Sequence, residues 1–305
     1  MTLVQAVAKY VDYNQAIGLR FQVDAGMLRA FHRQTGDVDL AAVSADMVAA
    51  FLQPRCQVTS TWRMKHRALR RFYHHWIARG VVTRSPVPTV VPPVAGTFVP
   101  HIYTDEELQR LLNGVETHQA RAGCTIAAPT FRAFLLLLYG AGLRLSEAVG
   151  LEQPDVDLRD GTVLIRETKF YKSRQLPIGP TLTRVLAESL EAARTSRAIS
   201  CAAFFVNRRG APMPSQTAYG NFASLRASLG IVGRLHDLRH TFAVHRLLAW
   251  YREGADVQRL LPHLSTYLGH ARISSTQRYL TMIPELLEQA SQRFETYAQP
   301  EVRHE

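Results

Sequence analysis

Cysteine is scarce. Only three occur in 305 residues, Cys56, Cys124 and Cys201, far apart and never as C-x-x-C. Any disulfide scheme leaves one over, and no thiolate metal site has this spacing, so a reduced, cytoplasmic protein is expected. Long apolar runs are missing too. The longest, Ala133 to Leu143, has 11 residues and is broken by two glycines, well short of the roughly 20 that cross a bilayer. The opening MTLVQAVAKYVDYNQ has neither a basic start nor a continuous apolar stretch, so no secretory signal and no membrane are expected. Glutamate is absent from the first 95 residues.

That glutamate-free segment holds 12 Lys and Arg against five Asp, a net +7 out of +11 for the whole chain. A basic balance, with a sequence pI near 9.9, favours polyanionic partners, nucleic acid above all. The remaining composition, 47% hydrophobic and 20% charged, is that of an ordinary globular protein, and the length suits about two domains.

Five of the 15 prolines fall in SPVPTVVPPVAGTFVP, residues 85–100. Proline lacks a backbone donor and pushes its predecessor toward extended conformations, so this stretch reads as a linker. It separates a helical domain over 1–84 from a second domain over 101–305. In the first, TWRMKHRALRRFYHHWIAR places Leu69, Phe72, Tyr73, Trp76 and Ile77 on one helical stripe. Arg63, Arg67, Arg70, Arg71 and His74 fall on another face, a shape suited to phosphates and equally to a solvated surface.

The second domain opens on a capping box, Thr104 to Glu107, ahead of a helix. An apolar helix near 130–139, a Gly140-Ala-Gly142 break and a short helix through 146–151 follow. Alternation around a basic centre in GTVLIRETKFYKSRQLPI predicts a hairpin with strands near 162–167 and 174–178. A third strand is expected near 203–206. Helices are expected at about 180–193, 215–228, 236–250, 255–264 and 284–297. The fold class is therefore mainly α with a small β-sheet.

Within this frame several residues could carry chemistry. Arg144 follows the glycine break where a helix begins, a junction with free N–H groups that suits a phosphate; an ordinary pair with Glu147 explains it as well. Lys169, Lys172 and Arg174 sit near the hairpin turn, where basic residues often only solubilise. LHDLRHTFAVHRL puts His236, Arg239, His240 and His245 on one helix, with His236 sharing a face with Arg239 and with His240. In Leu268-Gly269-His270 the glycine ends a helix and leaves His270 at a turn. Tyr279 follows nine residues later.

The ordered set Arg144, Lys169, His236-x-x-Arg239, Gly269-His270, Tyr279 resembles the signature of the tyrosine recombinase (phage integrase) family. The matching motifs are GLRLSE, TKFYKSR, HDLRHTFA, LGH and the final tyrosine, and the resemblance spans about 101–295. The basic helical domain before it resembles the family's SAM-like core-binding domain in character. The layout is similar to the two-domain recombinases of transposons, plasmids and chromosomes.

What the resemblance implies is strand transfer on DNA. Arg144 and Arg239 would hold the non-bridging phosphate oxygens, and His270 would add a hydrogen bond. Tyr279 would attack the phosphorus, its proton passing to His236, with the surrounding cations favouring phenolate. Lys169 would protonate the leaving 5′-oxygen. Glu147 would orient Arg144, and His240 would stand behind the reacting groups. No cofactor, metal or ATP is implied. Arg63, Arg67, Arg70, Arg71, Lys172 and Arg174 would contact DNA, with the two domains on opposite faces of the duplex. The partners implied are double-stranded DNA with paired target sites and a homotetramer, or a mixed tetramer with related recombinases, joined through a helix near 284–297. A cytoplasmic, nucleoid-associated location follows.

Three other readings compete. The H-x₃-H spacing of His236 and His240 fits a zinc hydrolase helix, but Asp237 stands where glutamate is usual and no third ligand is evident. A non-catalytic DNA-binding relative and a type IB topoisomerase-like strand transferase share the fold or the chemistry.

Overall fold

The computed structural model describes residues 1–53, 59–92, 99–166, 173–196 and 201–280. The chain divides into two compact units, Met1–Phe98 and Val99–Glu305.

Among its described residues the first unit holds four α-helices, α1 (Leu3–Ala16), α2 (Gln22–Thr35), α3 (Ala45–Leu52) and α4 (Ser60–Ile77). Side-chain caps set three of their starts. Thr2 with Gln5 forms a capping box on α1, and Ser44 and Thr59 accept from the backbone three residues on, which satisfies otherwise orphaned N–H groups. Leu69, Phe72, Tyr73 and Trp76 of α4 pack on Leu3, Leu28 and Phe31, as the helical stripe predicts. The proline stretch behaves differently from a free linker in its first half. Val87 is buried against this same core, and the Pro88 carbonyl lies 2.7 Å from His66 Nε2. Apolar side chains between the prolines give that half something to bury.

The second unit begins with α5 (Asp105–Gln119), whose Thr104–Glu107 capping box forms as the sequence predicts. Then come α6 (Ala128–Gly140), α7 (Leu145–Val149), β1 (Val156–Asp157), β2 (Thr162–Ile165) and β3 (Arg174–Pro177). The helices α8 (Pro180–Ser196), α9 (Ser215–Ser228), α10 (Asp237–Arg252), α11 (Val257–Leu268) and α12 (Ser274–Gln277) follow among the described residues. The sheet is antiparallel in the order β1-β2-β3, with Ile165 opposite Arg174. The third strand is thus Val156–Asp157 and not residues 203–206. Ala203 and Val206 make only isolated bridges, to Glu152 and Pro212, because Phe204 and Phe205 are both buried in the helical core and no partner strand runs alongside among the described residues. The expected helix at 284–297 lies outside the described residues. The main core joins Phe131, Phe134 and Leu138 of α6 to Phe205, Phe222 and Leu238. A second cluster, built from α10 and α11, contains Phe242, Leu247, Leu264 and Tyr279. The candidate residues gather between these two apolar masses.

Candidate active site

Gly142 closes the break after α6 in the left-handed region, at φ +60°, and a Cβ there would stand 2.5 Å from Phe242. Only glycine allows so close an approach of this backbone to α10. Its carbonyl accepts from Arg239 Nη1 at 2.7 Å, while Arg239 Nη2 donates to the Leu268 carbonyl at 2.6 Å. The side chain of Arg239, 2% exposed, therefore ties the end of α6 to the end of α11. Burial, then the charge of Arg144, lowers its pKa to about 10, which leaves it protonated at neutral pH.

Arg144 is the N-cap residue of α7. Its backbone N–H donates to Glu147 Oε2 at 2.9 Å, Nη1 donates to Glu147 Oε1 at 2.7 Å, and Nη2 donates to the Gly269 carbonyl at 2.9 Å. Glu147 receives a second arginine. Nη1 and Nη2 of Arg174 reach its two oxygens at 3.1 and 2.9 Å. Burial alone would raise this carboxyl, but the hydrogen bonds from Arg174 and Arg144, with their charges, hold it at about 2.

Arg174 is a correction to the sequence reading, which placed it on DNA. It is 11% exposed, and its remaining nitrogen, Nε, donates to the Tyr267 carbonyl at 2.9 Å. The physical reason lies in β3: side chains alternate along a strand, so Arg174 points to the same side as the buried Leu176. Its guanidinium fills the space beside Gly269, where a Cβ would lie 2.7 Å from Nη1.

Gly269 caps α11 in the left-handed conformation, at φ +65°, as expected of the LGH motif. The turn it makes delivers His270, whose Nδ1 lies 2.7 Å from the hydroxyl of the fully buried Thr276. Tyr279 follows α12 and is 3% exposed. Its hydroxyl lies 2.9 Å from Nδ1 of His240. The His270 ring stacks on the tyrosine at 6.3 Å.

Charge states follow from this packing. Burial first, then Arg239 and Arg144, pulls His270 to about 4. Burial first, then His236, does the same to His240. Both rings are neutral at neutral pH. Burial raises the Tyr279 phenol above its ordinary value although Arg239, Arg144 and Arg278 oppose it. The expectation that cations favour phenolate is therefore reversed: desolvation outweighs them. His236, the expected proton acceptor, is exposed at the start of α10, its ring edge-on to His240 at 4.8 Å. The hydroxyl's histidine partner is His240, which the sequence reading set behind the reacting groups.

The structure thus brings together Arg144, Glu147, Arg239, His240, His270 and Tyr279, with His236 alongside. Lys169 and Lys172 lie outside the described residues. Sequence reasoning missed Thr276 and the inward turn of Arg174; the alternation of β3 was the available signal for the latter. In the first unit Arg63, Arg67, Arg70 and Arg71 are all exposed on α4. Arg67, Arg70, Arg71 and His74 line an open groove of about 480 Å³ with Tyr10 and Tyr13. Among the described residues no group of three or more His, Cys, Asp or Glu is placed to hold a metal ion.

The family model described as the phage integrase family matches residues 102–284. The chain belongs to that family. It is a tyrosine-type site-specific recombinase. A protein named as an integrase/recombinase, y4rE of Sinorhizobium fredii, is 33% identical over 95% of this chain and 95% of its own length. The tyrosine recombinase XerD of Mycobacterium leprae is 32% identical over 72% of this chain and 69% of its own. Among solved structures, the Tn1549 transposon integrase in complex with a circular intermediate DNA aligns with a TM-score of 0.68 at 17% identity. That alignment covers 98% of this chain and 100% of the integrase chain. A lambda integrase tetramer bound to a Holliday junction aligns with a TM-score of 0.64 at 16% identity, over 89% and 78% of the two chains. These likenesses carry the recombinase fold over nearly the whole chain.

Proposed function

We propose that the chain cleaves and rejoins DNA through a covalent 3′-phosphotyrosyl intermediate on Tyr279. The observation that carries this reading is the buried Tyr279, its hydroxyl 2.9 Å from His240 Nδ1 and its ring beside His270. Attack on a phosphodiester concentrates negative charge on the non-bridging oxygens. Arg144 and Arg239 offer planar, permanently charged donors there, and His270 a further hydrogen bond. The two arginines are held by carbonyls and by Glu147, and His270 by the Thr276 hydroxyl, so little reorganisation is needed during the reaction.

Attack releases a 5′-hydroxyl, which Lys169 would protonate as it leaves. The tyrosyl ester keeps the energy of the broken bond, and a 5′-hydroxyl from another strand reverses the attack and reseals the duplex. Nothing in that cycle requires ATP, and the guanidinium groups supply charge of the kind a metal ion supplies in other nucleases. Both units contact DNA in this reading, the first through Arg63, Arg67, Arg70 and Arg71. Paired target sites and a tetramer of this chain, or one shared with related recombinases, would bring the strands together.

The test is a nicked suicide duplex, selected from random-sequence DNA by covalent capture with the wild-type chain. Tyr279→Phe is expected to abolish the covalent product while DNA affinity stays within about twofold. A variant that still becomes attached removes Tyr279 as the nucleophile. Relaxation of supercoiled plasmid without any sequence preference would favour the topoisomerase-like reading instead.

A further inference from the structure

The geometry points to His240 as the residue that takes the proton from Tyr279 when the tyrosine attacks, an inference that rests on the function proposed above. The assignment follows from the partner of one oxygen. A tyrosine hydroxyl has one proton to give and lone pairs with which to accept. The side chain in hydrogen-bond reach of the Tyr279 hydroxyl is Nδ1 of His240, at 2.9 Å. Taking the O–H proton requires a lone pair on Nδ1, the neutral Nε2–H tautomer.

The surroundings keep that lone pair free. His236, Asp237 and Arg239 on the same helix and Arg234 just before it bear on His240, and Tyr279 and His270 face it from beyond α11. Cations and burial dominate this set, so the imidazole does not bind a proton from solvent at neutral pH. The arriving phosphate adds negative charge beside both rings and makes an imidazolium more favourable at the moment one is needed.

In the step itself a lone pair of the Tyr279 oxygen forms the O–P bond while the O–H proton moves to His240 Nδ1. The P–O bond to the 5′-oxygen breaks with its electron pair, and that oxygen takes a proton from Lys169. Resealing runs in reverse, the His240 imidazolium returning its proton to the tyrosyl oxygen. His236 does not share this geometry. Its ring meets His240 edge-on, and it is exposed at the helix start.

Two measurements on the full chain test the assignment. In the absence of DNA, ¹⁵N-histidine spectra at pH 7 are expected to show His240 with bare Nδ1, and its signal is expected to move in Tyr279→Phe. A protonated Nδ1 overturns the proposal. With the selected suicide duplex, single-turnover attachment by His240→Ala and by His240→Gln is expected to slow about 10²- to 10⁴-fold, with DNA affinity kept. Glutamine can accept the hydrogen bond but cannot carry the proton away, so a wild-type rate in His240→Gln reduces the residue to positioning and overturns the proposal. A duplex with sulfur in place of the leaving 5′-oxygen separates base from acid, since a thiolate leaves without a proton. The His240 defect is expected to persist on it; rescue would move His240 to the leaving-group side and refute the assignment. A full defect in His236→Ala with none in His240→Ala also refutes it. Loss of all covalent product from the wild-type chain would instead overturn the function beneath.

Discussion

Glu147 is where a single residue bears most on the site. It holds Arg144 and Arg174 together, and its carboxyl sits near 2 against an ordinary 4.5. A depressed carboxylate stabilises the fold fully above its unfolded value and loses that contribution as pH falls through the folded one. The window is therefore between about 4.5 and about 2, and the stake is on the order of 3 kcal/mol. Glu147→Gln is expected to unfold at lower denaturant than wild type at pH 7, with the gap narrowing by pH 3; a gap independent of pH would contradict the ion-pair account. Some of this was legible. Arg144 and Glu147 lie three apart on a helix start, so their pairing follows from local geometry. His240 was legible as a neighbour of His236, four residues back, but which ring meets a tyrosine 39 residues later depends on how α10 and α12 pack, and no local spacing encodes that.

Between elements, the coupling runs through glycine. Gly269 leaves room for the Arg174 guanidinium, which in turn ties β3 to the end of α11 through the Tyr267 carbonyl. Gly269→Ala adds a Cβ in the left-handed region and beside Arg174, and is expected to cost at least about 1–2 kcal/mol, read by urea unfolding. Attachment to the suicide duplex should fall further than stability alone explains, because Arg144 and His270 both depend on that turn. A variant of wild-type stability would show that the turn tolerates a side chain. The LGH motif announced the turn, since glycine at a helix end permits the left-handed cap. The hairpin was equally legible from alternation. The strand Val156–Asp157 was not: two residues carry no periodicity, and they pair only because β2 offers an open edge.

At the scale of the molecule, positive charge is concentrated in the first unit, and α4 presents much of it. Each arginine that neutralises a phosphate releases counterions, so Arg67→Ala and Arg70→Ala are each expected to reduce the slope of log affinity against log salt by about 0.9. Arg71, 3.7 Å from Asp24, is expected to matter less. Unchanged slopes would place DNA on another face of the unit. The central claim is narrower than DNA binding and can be read directly by mass spectrometry. After attachment to the suicide duplex, nuclease digestion and trypsin, the peptide over residues 279–293 is expected to carry a nucleotide phosphate on its one tyrosine, Tyr279. A nucleotide on any other residue, or a DNA–protein product in which this peptide is unmodified, would contradict the account.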